Sequence, residues 1–278
     1  GAPQGGVLSP LLANIYLNRL DKHVEKVLVP EYHRGIKRRP NPKARHYKYK
    51  KALAKQRGDR EAYKTFNKKQ RSIPSYDTHD PEYRRLRYVR YADDFLLSFA
   101  GPKQEAEEIK EKLAAFLRDE LKLELSQAKT LVTHASQETA HFLGYQIEAQ
   151  YSDTWRDSRG QRNANGEISL KMPKTTLQNM CARYMRNGKP IHLGYLTLNS
   201  DYDIVVRYQS EYRGFVQYYA LAQNLHTANK LRWIMQTSLL KTLAAKYKST
   251  LSKMAKKYSA LIQTEHGVMN GIRVEVHR

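Results

Sequence analysis

Cysteine is nearly missing from this sequence. Cys181 is the one thiol in 278 residues, and alone it can neither close an intramolecular disulfide nor supply a zinc site, which excludes a disulfide-stapled scaffold. Long apolar runs are absent as well. None approaches the ~18 residues that cross a bilayer, and a mean hydropathy of -0.75 agrees, so a membrane-embedded protein is excluded. Negative charge is scarce: 27 Asp plus Glu stand against 49 Lys plus Arg, a net +22. That balance argues for a polyanionic partner, most economically a nucleic acid. There is no HExxH, no Cys/His ligand spacing, no P-loop and no GxGxxG. No signal peptide opens the chain, which starts at Gly1 in a turn-like GAPQGG. The expectation is part of a longer protein in a bacterial cytoplasm, with an organelle as the alternative.

The length is enough for about two domains. After the glycine-rich turn, Ser9-Pro10 reads as a helix start, and Leu17, Leu20, Val24, Val27 and Leu28 recur at helical spacing until Pro30. From Arg34 to Arg71, sixteen Lys or Arg face only Asp59 and Glu61, interleaved with Tyr47, Tyr49, Tyr63 and Phe66. Part of this run, roughly 50–70, reads as helical, and its one-sided charge favours nucleic-acid contact over a merely solvated face. Residues 87–99, RYVRYADDFLLSF, read as a hairpin with a tight polar turn, and Pro102 opens an amphipathic helix with Ala106, Ile109, Leu113, Phe116 and Leu117 on one face. Short strands are expected at 123–125, 130–133 and 142–148, and a hairpin over 147–171 turned by Gly160 or Asn165-Gly166. From Pro173 the period is helical, with helices expected at 174–187, 201–224, 226–248 and 249–263. Between Glu211 and Glu265 nine Lys or Arg occur without one acid, the pattern of a basic helical bundle.

Asp93 and Asp94 are the strongest chemical candidates. Neighbours on a regular strand face opposite ways, so a turn is what lets both approach one point, where like charges tolerate each other best around a cation. Hard oxygen ligands favour Mg²⁺. Asp-Asp is also ordinary turn chemistry. Gln4-Gly5-Gly6 ahead of a helix allows close backbone approach and an anion-friendly helix start, or is a plain connection. Lys129 in LELSQAKT is a surface lysine or a phosphate or proton partner, and Phe142-Leu143-Gly144-Tyr145 reads as a strand with a close backbone approach at the glycine.

Taken in order, GAPQGGVLSPLLANIYLNRLD, RYVRYADDFLLSF, LELSQAKT and HFLGYQI resemble the second half of the palm of group II intron-encoded reverse transcriptases. Residues 201–261 resemble the maturase (thumb, or X) domain that follows it. The resemblance implies an α+β fold, a partial right-hand polymerase palm followed by an all-α helical thumb. It divides the chain into a palm over 1–172 with a basic insertion at 31–86, a thumb over 173–265 and the start of a further segment at 266–278. It implies a catalytic Mg²⁺ site at Asp93 and Asp94, with Tyr91 and Ala92 lining the approach. Gln4, Gly5 and Gly6 would shape the nucleotide and template pocket. Lys129 would lie near the triphosphate, with a proton-donor role. Leu143, Gly144 and Tyr145 match the primer grip. Arg38 and Arg39 of the insertion and Arg213, Tyr218, Lys241, Lys246 and Lys248 of the thumb fall in stretches that contact RNA.

The same resemblance implies an RNA-directed DNA polymerase and intron splicing factor, with group II intron RNA, an RNA template, a DNA primer and deoxynucleoside triphosphates as partners and no membrane. A further palm aspartate that the family carries upstream of QGG lies outside this sequence, so the expectation is that the chain alone is inactive as a polymerase. The alternatives are an RNA-binding splicing cofactor without polymerase activity and a retron or CRISPR-associated reverse transcriptase. Oligomeric state is left open.

Overall fold

The structure is a computed structural model that describes residues 8–152, 158, 166–265 and 267–275. It divides into two compact units, Gly1–Leu143 with Glu148–Ile168 and Gly144–Ile147 with Ser169–Arg278.

The first unit begins with α1 (Ser9–His23), where Pro10 supplies its fixed φ in the first turn. Leu8 takes the cap position, no side chain caps the helix, and Ser9 is its first residue. Pro30 does not stop this helix. A π turn over Val24–Leu28 intervenes, the Val29 N–H bonds the Val24 carbonyl, and Pro30 falls in the first turn of α2 (Val29–Tyr32), where a missing N–H breaks no internal bond. Leu20, Val24, Leu28 and Tyr32, four residues apart, form one buried stripe.

Between α2 and the first hairpin, the basic run forms two helices, α3 (Pro42–Gln56) and α4 (Arg60–Ser72). Asn41 caps α3 by accepting from the Lys43 N–H, and Asp59 caps α4 by accepting from the Ala62 N–H. Gly58, at φ 70, makes the turn between them.

The strands β1 (Arg85–Tyr91) and β2 (Asp94–Ala100) form the expected hairpin, with Tyr91 opposite Asp94. By the alternation of a pleated strand, Leu86 and Tyr88 join Phe95, Leu97 and Phe99 on the core side, while Arg87, Val89 and Tyr91 are exposed. The helix α5 (Lys103–Glu120) closes this core with Ile109, Leu113 and Leu117. Burying these side chains against α1 contributes roughly 1.5–3 kcal/mol each.

The strands expected at 123–125 and 130–133 do not form. The Leu123 N–H returns to the Leu117 carbonyl and the Thr130 N–H to the Ser126 carbonyl, so local turns satisfy these backbone groups instead of a ladder. The strand expected over 142–148 is a hairpin, β3 (Ala140–Phe142) and β4 (Tyr145–Ala149), turned at Leu143 and Gly144 with φ 47 and 73. The third strand β5 (Ile168–Lys171) gives a sheet of order β3-β4-β5. Gly160 and Asn165 lie outside the described residues. Gly166, at φ 89, donates to the Gln150 carbonyl at 2.9 Å.

In the second unit, α6 (Lys174–Ala182) ends before 187 because Asn187-Gly188, both at positive φ, turns a short hairpin of β6 (Met185–Arg186) and β7 (Lys189–Pro190). The helix α7 (Asp201–Tyr218) stops short of 224, and a 3₁₀ turn at Leu225–Ala228 leads into α8 (Asn229–Lys246). Then α9 (Leu251–Tyr258) gives way to β8 (Ser259–Thr264), which pairs antiparallel with β9 (Gly267–Ile272). The stretch expected to be an all-α thumb therefore also carries strands, and the segment boundary expected there separates β8 from β9, which pair with each other. Leu231, Ile234, Met235, Leu239 and Leu243 of α8 pack with Ile204 and Tyr208 of α7 to form its core. Where hydroxyls enter that core they bond one another: Tyr208 meets Ser238 at 2.8 Å and Thr242 at 3.1 Å.

Candidate functional site

The tip of the β1–β2 hairpin is the two-residue turn Ala92-Asp93, followed by Asp94 as the first residue of β2. Both carboxylates are exposed, and neither is held by a hydrogen bond or ion pair among the described residues. Tyr91, 66% exposed, stands directly across from Asp94, with Val89 two residues along the same face. The tip therefore carries two hard oxygen donors beside an exposed aromatic and apolar strip.

What fixes the turn is a side chain that the sequence reading passed over. Arg90 donates to Asp21 of α1 through Nε at 2.8 Å and Nη2 at 2.6 Å, and through Nη1 to the Asn14 side-chain oxygen at 3.0 Å and the Ala92 carbonyl at 2.6 Å. Tyr88 donates its hydroxyl to the same Asp21 carboxylate at 2.8 Å. The Arg90 hydrogen bonds hold the Asp21 carboxyl below the usual range against the opposing effect of burial, and Tyr88 adds to the lowering. Burial, together with the Asp21 bond, pushes the Tyr88 phenol up, so it stays a donor.

Mg²⁺ is commonly held by one or two carboxylates, with phosphate oxygens and waters completing its shell. Asp93 and Asp94 fit that donor set. Among the described residues no group of three His, Cys, Asp or Glu could hold a metal.

The other candidates fall in several places. Gln4, Gly5 and Gly6 lie outside the described residues. Lys129 is exposed on the Ser126–Thr130 turn and forms no ion pair with Asp93 or Asp94 among the described residues. Gly144 and Tyr145 do come together with Tyr218. The Tyr145 hydroxyl donates to the Tyr218 carbonyl, and the two rings stack with centroids 6.1 Å apart. A Cβ on Gly144 would lie 3.1 Å from the Tyr218 hydroxyl oxygen, on a backbone already at φ 73. Leu143 is the left-handed residue before it, at φ 47.

Several expected RNA-contacting cations are engaged within the protein. Arg39 pairs with Asp77 at 2.7 Å, and Arg38 lies over the Tyr83 ring, 5.0 Å from its centroid. Lys241 donates to the Pro190 carbonyl at 2.6 Å. Lys246 donates at 2.7 Å to both the Asn199 carbonyl and Asp201. Asp201 also accepts from the Tyr247 and Tyr258 hydroxyls. Burial opposes ionisation of Asp201, but the bonds from Lys246, Tyr258 and Tyr247 prevail and hold its carboxyl low. Arg213 and Lys248 are exposed, with no side-chain partner among the described residues.

Comparison with known proteins gives two family matches: "Reverse transcriptase (RNA-dependent DNA polymerase)" over residues 1–147 and "Type II intron maturase" over residues 168–275. The chain is 39% identical to the group II intron-encoded protein LtrA of Lactococcus lactis subsp. cremoris over 273 residues, 91% of this chain and 45% of that protein. It is 31% identical to the COX1/OXI3 intron 1 protein of Saccharomyces cerevisiae over 279 residues, 93% of this chain and 32% of that protein. Maturase K of Angiopteris evecta is 27% identical over 188 residues, 63% of this chain and 36% of that protein. The chain thus spans less than half the length of these relatives. No helix among the described residues is long and apolar enough to cross a membrane.

Proposed function

Because this chain belongs to the family of group II intron-encoded reverse transcriptases and maturases, we propose that it supplies the metal-binding turn and the RNA grip of an enzyme that extends a DNA primer on an RNA template and assists splicing of its intron. The observation that carries this reading is the pair Asp93 and Asp94, exposed at the tip of a clamped hairpin in a chain of charge +22.

In this proposal Asp93 and Asp94 hold Mg²⁺, which when bound supplies Lewis-acid charge to the phosphoryl group being transferred. Tyr91 and Val89 offer the apolar surface on which a primer-terminal or incoming nucleotide rests, and the Ala92 backbone keeps the approach narrow. Lys129 faces the triphosphate. Gly144 and Tyr145, backed by Tyr218, take the primer strand, where an absent Cβ allows close approach. The α3–α4 pair and the exposed Arg213 and Lys248 bind RNA phosphates.

The test is Asp93→Ala with Asp94→Ala in a protein of the relatives' full length. Loss of the charge that stabilises the transferred phosphoryl group predicts a fall in primer extension of at least about 100-fold, with intron splicing retained. Unchanged extension would remove the pair from catalysis. A protein that splices but never extends a primer, mutated or not, would be a splicing cofactor without polymerase activity.

A further inference from the structure

The metal-holding turn is built on a residue poorly suited to it. Ala92 sits at φ 54, in the left-handed region where a Cβ crowds the neighbouring carbonyl. Such a conformation persists when its surroundings over-determine it. Here the constraint comes from Arg90, whose Nη1 grips the Ala92 carbonyl at 2.6 Å while the rest of its guanidinium is fixed on Asp21 and Asn14. The Arg90 side chain is only 10% exposed. A planar fork bound to four oxygens on three residues has one orientation available, so its hold on the turn has little slack. Both side-chain acceptors lie on α1, the helix that follows Gln4-Gly5-Gly6 in sequence.

We infer that Arg90 is a positioning residue: by fixing the Ala92 carbonyl against α1, it presets the conformation in which Asp93 and Asp94 receive their metal ion. This rests on the reading of Asp93 and Asp94 as a metal-holding pair. Arg90 itself touches neither carboxylate. An ion pair serving stability alone would need Asp21 but not the Ala92 carbonyl, and this separates the two roles. Lysine at position 90 keeps a positive charge for Asp21 but lacks the fork that reaches Asp21, Asn14 and Ala92 together.

The experiment uses NMR on the chain, with backbone amide exchange and Mn²⁺ as the metal probe. In Arg90→Lys, amide exchange at Asp94, whose backbone pairs with Tyr91 across the turn, is expected to rise at least tenfold. The Mn²⁺ concentration that half-broadens the Asp93 and Asp94 resonances is expected to rise severalfold, while the amides of α5 exchange as in the parent. Asn14→Ala, which removes one outlying acceptor, should give a smaller change in the same direction and decides the matter should Arg90→Lys fail to fold. Parental exchange and Mn²⁺ response in a folded variant would overturn the inference. Failure of the metal reading looks different. Mn²⁺ would then leave Asp93 and Asp94 unbroadened in the parent, or broaden them equally in Asp93→Asn with Asp94→Asn, while amide exchange still reports whether Arg90 holds the turn.

Discussion

At Ala92 the turn trades stability for geometry. A left-handed alanine costs roughly 1–2 kcal/mol, whereas glycine there carries an extra unfolded-state entropy of roughly 0.5–1 kcal/mol. Ala92→Gly, at φ 54, should therefore raise the stability of the first unit by about 0.5 kcal/mol, read as a higher urea midpoint at unchanged slope. In a protein of the relatives' full length it should also slow the proposed primer extension severalfold, since glycine samples backbone states that alanine excludes. A lower midpoint would mean that the Ala92 side chain contributes contacts that offset its strain. The turn itself was legible in YADD, because apolar strands flank a polar pair. Its clamp was not. Arg90 reads as one more cation in a basic chain, and its acceptors lie 69 and 76 residues away, a distance over which strand alternation predicts only that position 90 shares a face with Tyr88.

Elements with strong local signals formed where the periodicity placed them, and those whose ends depend on partners did not. The stripe Ile109, Leu113 and Leu117 specified α5 outright. Pro30 is an ordinary breaker by local rules and was harmless here, because a π turn moved it into a first turn. Residues 259–263 carry Ala, Leu and Ile, which suit helix or strand, and pairing with Gly267–Ile272 decided the outcome. The same dependence on partners separates cations that build the fold from cations that face solvent. Lys246 closes the end of α8 onto Asp201, with side chains 22% and 16% exposed. Lys246→Met leaves a largely buried carboxylate short of its charged donor and should cost about 2–3 kcal/mol in urea unfolding. Lys248→Gln, two residues on and exposed, should change stability by less than about 0.5 kcal/mol while weakening RNA binding. Equal stability losses would show that Lys248 also belongs to the fold. Equal RNA losses at matched stability would place Lys246 at the RNA.

Across the whole molecule the decisive quantity is charge, and it is unevenly placed. The α3–α4 pair buries only Ala44 and Ala54 among its described side chains, so it has almost no core of its own. It is held instead by its two caps, by the Asn41 N–H on the Ser75 carbonyl at 3.0 Å and by the Arg39 N–H on Asp80 at 2.7 Å. Such a device contributes little apolar burial but presents cations in fixed order. Arg45, Lys48 and Lys55 recur on one face of α3, all exposed, with no side-chain partner among the described residues. Were the charge merely a solubilising coat, replacing three of these cations would leave the salt response of RNA binding as it was. If they lie on phosphates, each releases condensed counterions, and each single-strand phosphate neutralised adds about 0.7 to the log–log slope. Changing Arg45, Lys48 and Lys55 together to Gln should thus lower the slope by up to about 2, with urea stability held within about 0.5 kcal/mol per site. A slope that survives the triple change would move the RNA off this face and onto the remaining exposed cations, Arg213 and Lys248 first among them.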